Sequence, residues 1–141
     1  MSEPKPNHPT MNKILIGIKP NITESEEIFG DIYEILMEEL KTTDIEYADT
    51  ILSASASLIS DLYEGNEHQR SCIEHYKDRE WEFYITETEL SFAEINAAKK
   101  RIREQLKEFS IESDHVADNS VHISDSEEAA AREIAVIYKH I

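Results

Sequence analysis

The chain has 141 residues, 40% of them apolar, and a formal charge of −16. That is room for one domain with its own core, wrapped in a field that repels nucleic acid and anionic membranes and attracts basic proteins and cations. No stretch approaches the roughly 20 apolar residues of a membrane span, no apolar leader opens the N-terminus, and the single cysteine, Cys72, excludes an internal disulfide, so the expected compartment is the cytoplasm.

Residues 1–11 (MSEPKPNHPTM) hold three of the four prolines and almost nothing apolar, which predicts a disordered tail ahead of a single globular α/β domain over 12–141. Residues 12–19 (NKILIGIK) alternate Ile14, Ile16 and Ile18 with Leu15 and Gly17 before Pro20. A strand apolar on both faces is expected, and such strands are internal. Four later segments open with Ser or Thr followed three residues on by Glu: Thr23 and Glu26, Thr43 and Glu46, Ser91 and Glu94, Ser124 and Glu127. Each is a candidate capping box, in which the hydroxyl and the carboxylate satisfy amides at a helix start.

The first helix is expected over about 24–41, with Ile28, Ile32, Ile35, Leu36 and Leu40 on its stripe. A second is expected over about 44–64, ending at Gly65, with the small residues of Ser53 to Ser57 (SASAS) allowing close packing. Residues 66–79 are polar and leave room for one short helix. Glu80 to Glu87 alternates Trp81, Phe83 and Ile85 with Glu82, Tyr84 and Thr86, the pattern of a strand with one buried face. A helix over about 92–109 presents Phe92, Ile95, Ile102, Leu106 and Phe109, and Leu90 and Ile95 suit a hydrophobic staple. Val121 to Ser124 reads as a short strand, and a last helix over about 125–140 is expected to bury Ala130, Ile134, Ile137 and Tyr138. The order β-α-α-(α)-β-α-β-α predicts an α/β (or α+β) fold, a small three-stranded mixed sheet covered by about four helices, the last two strands joined by a parallel crossover.

Between Glu24 and Asp49 ten acidic residues face one base, Lys41. Glu24, Glu26, Glu27, Asp44 and Glu46 suit helix N-termini, which leaves Asp31, Glu34, Glu38, Glu39 and Asp49 as the candidate surface for a basic protein partner, in the manner of an inhibitor, immunity protein or nucleic-acid mimic. The counter-signal is Lys99, Lys100, Arg101, Arg103 and Lys107 on the third main helix. Without interleaved aromatics it is a poor nucleic-acid site. It suits either internal pairing with the acidic helices or a homodimer through Lys99, Lys100, Arg103 and Lys107, as in a self-associating regulatory or scaffold domain.

His68, Cys72 and His75 are spaced i, i+4, i+7, so a helix there would project all three from one face toward zinc, the basis for a small metal-dependent enzyme. No fourth ligand is evident, and solvated polar residues on a connecting helix are the plain alternative. His122-Ile123-Ser124 resembles one half of the paired His-x-Ser/Thr signature of 2H phosphoesterases. No second copy exists here, so Ser124 is read as a helix cap. Only Gly17, Gly30 and Gly65 occur, too far apart for a phosphate-cradling loop, and no complete catalytic constellation is legible.

Overall fold

The computed structural model describes residues 11–20, 31–42, 50–64, 67, 69–107 and 121–140. Its elements are β1 (Asn12–Ile18), α1 (Ile32–Leu40), β2 (Thr50–Ala54), α2 (Ala56–Leu62), α3 (Gln69–Tyr76), β3 (Arg79–Thr88), α4 (Phe92–Lys107), β4 (Val121–Ile123) and α5 (Glu127–His140). The expected tail and the capping pairs Thr23 with Glu26 and Thr43 with Glu46 lie outside the described residues.

The α/β class holds, and the sheet has four strands in the order β2-β3-β1-β4. All three pairings are antiparallel, so the sheet is not mixed. β3 and β4 run in the same direction, as a crossover through α4 requires, but β1 lies between them. The same is true of β1 and β2 around β3. This is the split β-α-β arrangement of ferredoxin-like folds.

The fourth strand, β2, falls inside the segment expected as one helix over 44–64. Thr50, Ile51 and Leu52 carry the β-branched and apolar character that suits a sheet edge, and β2 pairs with β3 from Thr50 opposite Phe83 to Ala54 opposite Arg79. Ser55 then marks the switch from strand to helix. Its backbone is extended and its Oγ accepts from the Leu58 amide at 3.1 Å, which caps α2. Of the small residues here, Ala54 is fully buried in the core as close packing requires, while Ser53, Ser55, Ala56 and Ser57 are exposed around the junction.

Each face of the sheet carries a layer. On one, Ile14, Ile16, Ile18, Tyr84, Val121 and Ile123 pack with Ile32, Leu36 and Leu40 of α1 and Ile95, Ala98, Ile102 and Leu106 of α4. On the other, Leu15, Trp81 and Phe83 pack with α2, α3 and Ile137 of α5. β1 is internal and apolar on both faces, as its sequence requires. β3 is also covered on both faces, which the alternation of Glu82, Tyr84 and Thr86 concealed. Glu82 is accommodated because Tyr33 Oη donates to its Oε1 at 2.6 Å and Tyr84 Oη donates to the same oxygen.

The capping box at α4 forms in full: the Glu94 amide donates to Ser91 Oγ at 3.1 Å and the Ser91 amide to Glu94 Oε1 at 2.9 Å. The box expected at Ser124 and Glu127 does not. Ser126 Oγ caps α5 through the Ala129 amide at 3.0 Å, because Ser124 is committed to the sheet. Tyr138 is 63% exposed, and Glu133 is buried in its place. In urea denaturation, Ile102→Ala is expected to cost about 3 kcal/mol through the cavity it leaves between α4 and the sheet, and Ser91→Ala about 1 kcal/mol through the lost cap. Equal losses would contradict this division between core and cap.

Candidate functional site

β4 is a three-residue edge strand, and alternation divides its side chains. Val121 and Ile123 enter the core beneath α1 and α4, and His122 points to the opposite face. There it pairs in register with Gly17 of β1. A Cβ at Gly17 would lie 3.1 Å from the Phe83 ring and 3.5 Å from His122 Cβ, so glycine is what lets the imidazole and the Phe83 ring approach the same stretch of strand.

Two residues further, Ser124 is locked to β1. Its amide donates to the Leu15 carbonyl at 3.1 Å and its Oγ accepts from the Leu15 amide at 3.0 Å. That hydroxyl donates to Glu133 Oε1 at 2.8 Å. The same carboxylate oxygen lies 2.8 Å from His122 Nε2. Glu133 therefore joins α5 to β4 and, through Ser124, to β1. Burial alone would raise its pKa, but the His122 hydrogen bond and charge, the Ser124 hydroxyl and Arg132 outweigh burial and hold it below the ordinary carboxylate value. An ionised Glu133 can only accept, so the proton between them sits on His122 Nε2, and in the neutral imidazole this leaves the lone pair on Nδ1. Tyr63 meets the imidazole edge to face at 5.4 Å between centroids, and the His122 side chain is 12% exposed.

His122 and Glu133 line a cleft of about 360 Å³ that also receives Lys19, Lys99, Arg103 and Arg132. Glu64 and Asp125 stand among its lining residues. Arg132 is anchored at the end of α2, its Nη1 donating to the Asp61 carbonyl at 2.9 Å and its Nη2 to the Leu62 carbonyl at 3.3 Å, with Nη2 also 3.7 Å from Glu133 Oε2. Lys19 follows β1 and is almost wholly buried. Its Nζ lies 5.3, 5.6 and 5.8 Å from the ring centroids of Tyr63, Tyr76 and Trp81 and donates to Cys72 Sγ at 3.8 Å. Burial pushes its pKa down to about 8; Cys72 opposes this and the Arg103 charge adds to it. Burial also lowers Lys99, with Arg103 contributing and Asp125 and Glu133 opposing. In a chain of charge −16, four cations gathered at one concavity beside Glu64, Asp125 and Glu133 suit an anion carrying several oxygens, and a histidine held by a carboxylate there is a candidate nucleophile.

The candidates from sequence are distributed differently. Asp31, Glu34 and Glu38 are exposed along α1. Glu39 accepts from Arg101 Nε at 2.7 Å and Gln105 Nε2 at 2.8 Å, so part of the acidic surface pairs internally with α4. Asp49 lies outside the described residues. Lys100 is exposed, Lys99 and Arg103 line the cleft, and the Lys107 side chain lies outside the described residues. Cys72 is buried against Lys19 rather than displayed on a helix surface. His68 and the His75 side chain lie outside the described residues, and no group of three metal ligands occurs among the described residues. Sequence reasoning passed over Lys19, Arg132 and Glu133. The available signals were Glu133 on the Ala130–Ile137 stripe of α5 and Lys19 continuing the Leu15, Gly17 side of β1. No described helix is long and apolar enough to cross a membrane.

No protein-family model and no curated protein matches the chain. Among solved structures it is similar to the nucleoside diphosphate kinase of Aquifex aeolicus, with a TM-score of 0.61 and 18% identity over 91% of this chain and 95% of that one. It is also similar to the nucleoside-diphosphate kinase of Borrelia burgdorferi, solved as a transition-state mimic with bound vanadate and ADP, with a TM-score of 0.61 and 17% identity over 89% and 86% of the two chains. At these identities the likeness establishes the fold.

The Lys19 geometry has a measurable signature. Its folded pKa, about 8, lies below the ordinary 10.5, so between those values the unfolded chain binds more protons and stability rises with pH. The full relief is about 3 kcal/mol. Between pH 8 and 9.5, denaturation midpoints of the wild type should climb relative to those of Lys19→Met, which lacks the group. Parallel pH profiles would show that Lys19 is not buried as a cation.

Proposed function

We propose that the cleft binds a nucleoside polyphosphate and that His122 takes up its terminal phosphoryl group. The observation that carries this is the His122–Glu133–Ser124 constellation opening on a cleft lined by Lys19, Lys99, Arg103 and Arg132. The absence of a glycine-rich loop removes one way of holding phosphates, by backbone amides; cationic side chains are another. The similar solved proteins, named as nucleoside diphosphate kinases and in one case holding ADP and vanadate, support the choice of a nucleotide.

The chemistry follows from the hydrogen bonds. Glu133 keeps the proton on Nε2, so the Nδ1 lone pair attacks the terminal phosphorus. The P–Nδ1 bond forms as the bridging P–O bond breaks, and that electron pair leaves on the nucleoside diphosphate. Positive charge developing on the imidazole is met by the Glu133 carboxylate, and charge on the phosphoryl oxygens by the cations of the cleft. Reversal onto a second diphosphate would return the enzyme to its starting state.

A basic protein partner at Asp31, Glu34 and Glu38, or a dimer through α4, rests on surface charge alone, and the cleft geometry outweighs it. A nucleotide-dependent enzyme fits the cytoplasm expected from composition. The test is incubation with γ-labelled ATP followed by acid and base treatment of the labelled protein. Phosphohistidine is lost in acid and survives base, so acid-labile label that disappears in His122→Gln is expected. Glu133→Gln should slow labelling by roughly 100-fold or more, and the exposed Glu38→Gln should leave it unchanged. Acid-stable label, or label persisting in His122→Gln, would overturn the proposal.

A further inference from the structure

Lys19 is an unusual amine. It sits at the end of an internal strand with its ammonium among three aromatic rings, and the charged or ionisable groups that act on it are a thiol and an arginine. It is also one of the residues lining the cleft, with 1% of its surface exposed. Desolvation and a neighbouring cation are the two conditions that turn a lysine from a charge into a nucleophile. With its value near 8, about a tenth of such groups are neutral at pH 7, roughly 300-fold more than for an ordinary lysine. Arg103, Lys99 and Arg132 stand in the same cleft and select anions.

We propose that Lys19 is a carbonyl-reactive amine, and that phosphate-bearing aldehydes are captured in the cleft as an imine on its Nζ. The phosphate selectivity rests on the cleft being an oxyanion site, as proposed above; the amine reactivity rests on the enclosure of Lys19 at the cleft and on the Arg103 charge that acts on it. The neutral Nζ lone pair attacks the carbonyl carbon, and the carbonyl oxygen takes up a proton to give a carbinolamine. Nitrogen then loses its remaining proton as the hydroxyl departs as water, leaving a C=N bond. One amine and one aldehyde give one imine and one water, with no oxidant or reductant required. Such a ligand would occupy the space that a nucleotide phosphate needs, so capture and phosphoryl uptake exclude each other.

The probe is pyridoxal 5′-phosphate added to the full-length protein, followed by borohydride reduction and peptide mapping. Pyridoxal, which lacks the phosphate, is the parallel arm. The result expected is label on Lys19 ahead of the exposed Lys100 and Lys139, a rate that rises with pH to a midpoint near 8, at least tenfold weaker labelling by pyridoxal, and protection by pyrophosphate. Because mapping uses the wild-type chain, it does not depend on whether a Lys19 variant folds. Label confined to exposed lysines, with calorimetry showing that pyrophosphate still binds, would overturn the inference and leave the phosphate cleft standing. Equal labelling of Lys19 by the two aldehydes would overturn the phosphate-bearing ligand class, and with it the anion selectivity of the cleft.

Discussion

A carboxylate buried on the inner face of the last helix organises this molecule. Glu133 has one oxygen engaged by both His122 and Ser124 and the other facing Arg132. Unpaired, a buried charge of this kind is costly; paired, it costs less than breaking the set, because removing any partner leaves the charge stranded. The set therefore fixes the seating of α5 against the edge strand. It also fixes the tautomer of His122. Positioning the helix and preparing the imidazole are the same interaction.

Around that point the fold divides its labour by face. The side of β1 that carries Leu15, Gly17 and Lys19 supplies both a core layer and the site, and the Ile14, Ile16, Ile18 side supplies core alone. Gly17 gives up a side chain so that His122 and Phe83 can share its place. Lys19, the next residue on that side, is drawn into the protein, where three rings offset part of its lost hydration. The acidic surface has a smaller part than its charge suggests. Glu39 is tied to α4, and the cations that bear on the site have been gathered from β1, α4 and α5, segments distant in sequence.

That gathering explains what was legible in the sequence. β1, α4 and α5 could be placed because apolar period and the Ser91 cap are local signals, whereas the switch from strand to helix at Ser55 was hidden because apolar residues continue across it. As residue types, Ile51 and Leu52 suit a helical stripe as well as an edge strand, and the partner that decides the matter, β3, lies about thirty residues on. The site was harder still. Neither a lysine after a strand nor a glutamate within a helix carries chemistry alone, and the spacing of His122, Ser124 and Glu133 acquires meaning only once β4 and α5 are packed together. Conversely, His68, Cys72 and His75 formed a pattern in one dimension, yet burial assigns Cys72 to the surroundings of Lys19.

The central claim is that Glu133 holds the proton on His122 Nε2 and leaves Nδ1 to react. Nitrogen-15 NMR of the ring, with imidazole-labelled histidine and His122→Gln used to assign the signals, reads this directly. The account predicts a protonated Nε2 and a pyridine-like Nδ1 for the neutral His122 ring, and loss of that preference in Glu133→Gln. A proton on Nδ1, or a tautomer mixture indifferent to Glu133→Gln, would contradict it.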